Sequence, residues 1–234
     1  MLTRDEMLSH LRARRPIAAP SMLKCDFANL HREIELLDSA EASLFHWDVM
    51  DGHFVPNLSY GAMVIKSVRP LTETPFDAHL MISDPSKYLN EYINAGCEAI
   101  TIHLEAVPEP VAVLNEIRRR GVVAGLAINP ETPFAAAEPF LKACDLLLVM
   151  SVHPGFGGQK FIPDVVSKIR DARAMAGNDL IISVDGGIGP ATIGQCADAG
   201  CDVFVAGSSV FDEPCYTTAI AALQQTARGT QACC

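Results

Sequence analysis

Short apolar runs recur about every 25 to 30 residues along the chain, at 17–23, 44–50, 76–82, 99–104, 122–128, 146–152, 180–184 and 203–206. Most are rich in Val, Ile and Leu, as strands buried on both faces of a parallel sheet must be. Between them the apolar spacing lengthens to that of a helix. Ile162, Val165, Val166 and Ile169 fall at i, i+3, i+4 and i+7, which assigns Lys168 and Arg170 to the other side. An amphipathic helix over 4–14 precedes the first run. Three runs share a lead-in: Asn94-Ala95-Gly96-Cys97-Glu98, Ala143-Cys144-Asp145 and Ala199-Gly200-Cys201-Asp202. These predict helix ends running into strands, with Gly at the C-terminal cap in two of them.

Eight alternating β and α units predict a closed parallel (β/α)8 barrel, the TIM barrel, with a short N-terminal helix. One domain is expected over 1–234, with the barrel itself spanning roughly 17–228. An open doubly wound sheet is the alternative. It would want Gly-x-Gly-x-x-Gly after the first strand, where Met22-Leu23-Lys24-Cys25-Asp26 stands instead.

Composition, at 49% hydrophobic and 20% charged, is that of an ordinary globular protein and leaves this picture unchanged. The net charge of -10 argues against a nucleic-acid partner. No apolar run approaches the ~20 residues of a membrane span. Met1-Leu2-Thr3-Arg4-Asp5-Glu6 has acidic residues and no long apolar core, so it does not read as a secretory signal. Among eight cysteines, Cys97, Cys144 and Cys201 lie beside apolar runs, and no Cys-x-x-Cys occurs. A reducing cytoplasm is the expected compartment. Cys233-Cys234 reads as a frayed tail.

In such a barrel the active site lies at the C-terminal ends of the strands. The second run interleaves His46 and Asp48 with Phe45, Trp47 and Val49, so the two polar side chains share one face. Alone, that pair reads more readily as a core histidine and a loop cap than as metal ligands. Other strand ends add Ser21, Asp77-Ala78-His79, Thr101-Ile102-His103-Leu104-Glu105, Asn129 and Ser183-Val184-Asp185. From these, His46, Asp48, His79 and Asp185 emerge as metal ligands. Two imidazoles with two carboxylates suit zinc, iron, manganese or cobalt, one ion per chain. A second constellation is Pro154-Gly155-Phe156-Gly157-Gly158-Gln159 after the sixth strand, with Gly186-Gly187 and Gly207-Ser208-Ser209 after the seventh and eighth. Glycines there let backbone N–H groups approach an anion, and phosphate binding by the last loops is recurrent in this fold. The site reads as neutral, so backbone dipoles are expected to carry most of the binding.

At these residues the sequence resembles the ribulose-phosphate 3-epimerase family. The matching stretches are Pro20-Ser21-Met22-Leu23, His46 to Asn57, His79-Leu80-Met81, Asn129-Pro130-Glu131-Thr132-Pro133, Met150 to Ile162, Val184 to Ile188 and Val205 to Ser208. The resemblance implies that Asp48 and Asp185 double as the acid/base pair that inverts C3 of a ketose phosphate. It implies sugar-phosphate contacts from Ser21, His79, Gly155, Phe156, Gly157, Gly158, Asp185, Gly186, Gly187, Gly207 and Ser208. Met50, Met81 and Met150 match methionines that line the family's reaction chamber, although plain strand packing explains them equally well. The implied substrate is D-ribulose 5-phosphate, interconverted with D-xylulose 5-phosphate in the pentose phosphate pathway. A related ketose phosphate such as D-allulose 6-phosphate is the alternative, and a homo-oligomer is expected. Lys24-Cys25 stands where many relatives have small residues, and His153 where Asn or an acidic residue is usual.

Other classes fit the residues less well. A Schiff-base aldolase needs a buried lysine at a strand end, and Lys24 reads as part of a solvated loop. A metal hydrolase would keep few open positions beside four protein ligands. A non-catalytic sugar-phosphate sensor would keep the glycine loops without needing two opposed carboxylates.

Overall fold

The apolar runs become eight parallel strands: β1 (Ile17–Pro20), β2 (Phe45–Met50), β3 (Phe76–Met81), β4 (Ala99–His103), β5 (Val123–Ile128), β6 (Leu146–Met150), β7 (Ile181–Asp185) and β8 (Val203–Ala206). The computed structural model describes residues 1–231, so the Cys233-Cys234 tail lies outside the described residues. Strand neighbours run β1-β8-β7-β6-β5-β4-β3-β2. A parallel bridge between Ser21 and His46 joins the two ends of that order and makes the sheet a TIM barrel. Ring closure therefore falls on two residues singled out for the site.

Every strand has two faces, and the alternation sets what each one does. Along β2, Phe45, Trp47 and Val49 pack into the large core between strands and helices. His46, Asp48 and Met50 take the other parity and face the barrel interior. Lower in the barrel the interior is filled by Ile17, Ala99, Val123, Leu146, Ile181 and Val203, which form one cluster with Met7, Leu8 and Leu11. The last three belong to α1 (Arg4–Ala13), whose apolar face thus closes the N-terminal end of the barrel. Thr3 and Glu6 form a reciprocal capping box that starts α1 where the first-turn N–H groups would otherwise lack partners.

The three shared lead-ins prove to be one structural device used three times. Glu98, Asp145 and Asp202 precede β4, β6 and β8, and each accepts a backbone N–H from the preceding strand. The bonds are Phe76 N to Glu98 Oε2 at 2.9 Å, Ala124 N to Asp145 Oδ2 at 3.0 Å and Ile182 N to Asp202 Oδ2 at 2.8 Å. Guanidinium groups neutralise them: Arg69 for Glu98, Arg4 and Arg118 for Asp145, Arg15 and Arg173 for Asp202. Gly96 and Gly200 take positive φ, as helix C-terminal caps require.

Lys168 departs from the expected polar face. In the helix Val166–Ala176 it is buried, and its Nζ donates to the carbonyls of Asn129, Pro130 and Thr132 at 2.9, 2.7 and 2.6 Å. Its apolar stem lies along the protein while the ammonium reaches the loop after β5. Among the described residues no helix is long and apolar enough to cross a membrane.

Burial opposes ionisation of Asp145, but its bonds to Arg4, the Ala124 N–H and Arg118 outweigh that and hold its pKa below the ordinary carboxylate range. Removing it with Asp145→Ala is expected to cost about 3 kcal/mol, because two guanidinium groups and a strand N–H lose their partner. A urea-unfolding midpoint indistinguishable from wild type would disprove this role. The group's contribution is present in full above the unfolded carboxyl pKa of about 3.9 and is lost as pH falls through the depressed folded value. Acid titration followed by circular dichroism checks the sign.

Candidate active site

Period two in β2 and β3 brings the four predicted ligands together. His46 and Asp48 on β2 are register partners of Asp77 and His79 on β3, and Asp185 ends β7. His46 Nε2 lies 3.3 Å from His79 Nδ1 and 3.4 Å from Asp48 Oδ1, and the last two atoms are 3.2 Å apart. Asp185 Oδ2 stands 3.8 Å from His79 Nδ1. One ligand atom from each residue lies within 4.8 Å of the other three. A four-coordinate transition metal with bonds of about 2.0–2.1 Å needs neighbouring ligand atoms about 3.3 Å apart. The donor set and its spacing therefore fit such an ion, with Asp185 needing only a small inward shift.

Three of the four candidate ligands are oriented from behind. His46 Nδ1 is 2.9 Å from Asp77 Oδ2, which leaves Nε2 to face the cluster. Thr101 Oγ1 donates to the other oxygen of Asp77 at 3.1 Å. Gly125 makes room for that threonine, since a Cβ there would stand 2.2 Å from Thr101 Oγ1. On the other side, His79 Nε2 is 2.8 Å from His103 Nε2, and His103 Nδ1 is 3.2 Å from Glu105 Oε2. Ser21 Oγ donates to Asp48 Oδ2 at 2.5 Å, leaving Asp48 Oδ1 toward the cluster. Asp77, Thr101, His103 and Glu105 appear among the polar strand ends in the sequence, but without roles. The available signal was parity: Asp77 and Thr101 fall in register beside His46 and His79.

The four groups perturb one another. Burial disfavours a charged His46, yet Asp48 and Asp77 outweigh it and lift its pKa well above that of free imidazole. Burial also opposes ionisation of Asp48, but His46 and His79 drive its pKa below the ordinary range. His79 falls to about 4, through burial and through His103 and His46, against its bond to Asp48. Asp185 rises to about 7, through burial and then through the negative charge of Asp48. Two carboxylates in one site are thus pushed apart in acidity, the condition for one to act as base and the other as acid. A bound divalent cation would favour the ionised form of both.

Above the cluster opens a cavity of about 290 Å³. Ser21, Asp48, Asp185 and the three methionines Met50, Met81 and Met150 line it, as do Gly155, Phe156, Gly157, Gly158, Gly186, Gly187, Gly207 and Ser208. His46 and His79 lie fully buried beneath it. Gly186 admits no side chain: its φ is +115° and a Cβ would meet Val152 at 2.4 Å. The stretch after β2 fixes the rim. Asp51 accepts from the N–H groups of His53, Phe54 and Ser83, and Asn57 Nδ2 donates to the carbonyl of Gly155 at 2.6 Å. The Phe54 ring packs 4.8 Å from the His103 ring, so the same loop covers the buried histidines. His153 pairs with Glu131 at 2.9 Å on the exposed surface of the neighbouring loops.

A parallel barrel with an acidic, histidine-containing cluster and glycine-rich loops at its C-terminal mouth has the layout of a phosphate-handling barrel enzyme. The profile of the ribulose-phosphate 3-epimerase family matches residues 17–211. The ribulose-phosphate 3-epimerase of Synechocystis is 46% identical over 217 residues, covering 91% of this chain and 94% of that protein. The one from Bacillus subtilis is 43% identical over 199 residues, covering 83% and 92%. The chain belongs to the ribulose-phosphate 3-epimerase family, and it is an isomerase. Among solved structures, KGPDC from Streptococcus mutans superposes with a TM-score of 0.70 over 92% of this chain and 99% of that one. At 15% identity that likeness is one of fold.

Because His46 and Asp185 hold protons near neutrality in the metal-free cluster, metal uptake should release protons. Calorimetric titration with Zn²⁺ at pH 7, in buffers of different ionisation enthalpy, is expected to show between about one and two protons released per ion. Affinity should fall as pH drops from 7 toward 5.5. Asp77→Asn is expected to weaken metal binding roughly 10–100-fold by loosening His46. Wild-type affinity in that variant would show that Asp77 does not orient the ligand.

Proposed function

We propose that the chain interconverts D-ribulose 5-phosphate and D-xylulose 5-phosphate by inverting C3, with Asp48 and Asp185 as the acid/base pair. The observation that carries this reading is the pairing of two carboxylates of opposed acidity in one cavity, on strands three positions apart around the ring. Inversion next to a carbonyl requires a proton to leave one face of C3 and another to arrive on the opposite face. One fixed base does not reach both faces.

In one direction an ionised carboxylate takes the C3 proton. The C–H electron pair becomes the C2–C3 double bond, and the carbonyl electrons move onto the C2 oxygen, giving an enediolate. The protonated carboxyl across the plane then delivers its proton to C3, and the carbonyl re-forms. The two aspartates finish with exchanged protonation states, so the reverse reaction uses the same pair. Ser21 holds Asp48 by Oδ2. A divalent metal held by His46, Asp48, His79 and Asp185 supplies a Lewis acid for the negative charge that develops on oxygen. Met50, Met81 and Met150, all buried, line the chamber without exchangeable protons and exclude water from it. Backbone N–H groups at Gly155 to Gly158, Gly186-Gly187 and Gly207-Ser208 take the phosphate.

The cytoplasm is the proposed compartment; it suits the six free cysteines among the described residues, five of them buried. The homo-oligomer is likewise a proposal, with exposed Leu58 and Met63 as surface a second copy would cover. A sedimentation mass of a single chain would rule it out.

Asp185→Asn tests the mechanism, because an amide neither accepts nor returns the proton. Metal-loaded variant is expected to lose inversion by at least about 100-fold. It should retain exchange of the C3 hydrogen with deuterated water for one epimer alone, through Asp48. Proton NMR with each ketose phosphate, pentulose and hexulose, reads both properties, and metal content is measured alongside. Near wild-type epimerisation in a metal-loaded Asp185→Asn protein would overturn the two-carboxylate mechanism.

A further inference from the structure

Lys24 is the sole Lys or Arg among the described residues that line the cavity. It ends the short turn Met22–Lys24 directly after β1, which the sequence had suggested was a solvated loop. The residue is exposed, and its stem lies along two glycine loops. Its Cδ and Cγ lie 3.6 and 3.7 Å from where a Cβ on Gly157 would stand, and its Cγ lies 3.1 Å from that position on Gly207. The stem thus spans the seam between the loops after β6 and β8. The ammonium is held there only loosely, 3.4 Å from Asp212 Oδ1, in a pair whose side chains are 35% and 61% exposed. A pair that open contributes little to folding and can exchange partners at small cost.

We propose that Lys24 is a phosphate-recognition residue of this chain, whose ammonium leaves Asp212 and pairs with the substrate's phosphate dianion at the loops after β6 and β8. The proposal rests on the reading that the ketopentose phosphate docks at those loops. Its physical motive is charge. The protein carries -10, and Asp48 and Asp185 share the cavity with the incoming dianion. Backbone dipoles act over a short range, whereas a lysine is a full point charge on a flexible stem with three donors. Asp212, at the end of the short helix Ser208–Phe211, keeps that charge at the cavity rim when no anion is present.

The test uses metal-loaded protein, inorganic phosphate as the probe, and the variants Lys24→Met, Lys24→Arg and Asp212→Asn. Methionine keeps an unbranched apolar stem and removes the charge. Lys24→Met is expected to weaken inorganic phosphate, measured as a competitive inhibitor and by calorimetry, roughly tenfold. The KM for ribulose 5-phosphate should rise by a similar factor, with a smaller effect on kcat, and the decline of kcat/KM with salt should become shallower. Lys24→Arg should recover part of the affinity. Asp212→Asn, which frees the ammonium, should tighten inorganic phosphate about twofold. Unchanged phosphate affinity in Lys24→Met, beside normal competition in wild type, would overturn the role of Lys24 and leave the docking reading standing. Failure of inorganic phosphate to compete in wild type would remove the docking reading and the proposal together. If Lys24→Met shows no cooperative melting transition, Asp212→Asn decides, and weaker or unchanged phosphate binding in it overturns the proposal.

Discussion

Four ionisable side chains crowd one buried volume at the mouth of the barrel, and their mutual charge is the constraint to which the surroundings answer. Two like charges about 4 Å apart repel by about 4 kcal/mol at an effective dielectric constant of 20. Asp48 and Asp185 therefore do not both ionise freely without a cation. In its absence the proton settles on Asp185, whose pKa rises to about 7, while His46 takes charge beside Asp48. Three of the four members are held in place. Asp77 holds His46, His103 faces His79, and Ser21 holds Asp48. The chain of dependence reaches Gly125, whose missing side chain admits the threonine that bonds Asp77.

Much of the fold was legible because burial on both strand faces leaves a plain mark in the sequence. All eight apolar runs became strands, with ends displaced by a few residues at most. Lys168 was misplaced for an instructive reason. Helical periodicity assigns a direction to a side chain, but a four-carbon stem can follow the surface and deliver its ammonium to carbonyls on another element. The lead-ins before β4, β6 and β8 were visible as a repeated pattern. Their purpose was hidden, because it depends on a strand N–H and on guanidinium groups distant in sequence.

The clustering of His46, Asp48, His79 and Asp185 was legible for a related reason. Period two places His46 and Asp48 on one face, and barrel closure brings His79 and Asp185 to the same mouth. The supporting residues were less so. Parity nominates Asp77, Thr101 and His103 but does not say which oxygen meets which nitrogen. Lys24 is exposed, as its place in the sequence suggested, but the sequence does not show that its stem lies against the glycines after β6 and β8.

The barrel uses the same residue types in opposite ways at its two ends. At the closed end Glu98, Asp145 and Asp202 each have guanidinium partners and a strand N–H, so their charge is neutralised in place. At the open end neither Asp48 nor Asp185 has an Arg or Lys partner among the described residues; they meet histidines and a serine instead. The difference matches what the proposed function asks of each group. An arginine does not give up its proton at any working pH, so a carboxylate beside it stays ionised and serves as a fixed strut. Under the proposed mechanism Asp185 exchanges a proton with the substrate, and its pKa of about 7 keeps its two protonation states close in free energy, which a permanent guanidinium partner would prevent. Replacing the histidines at the mouth by arginines would hold both carboxylates ionised. Placing the floor's carboxylates among histidines would make the strand ends labile near neutral pH.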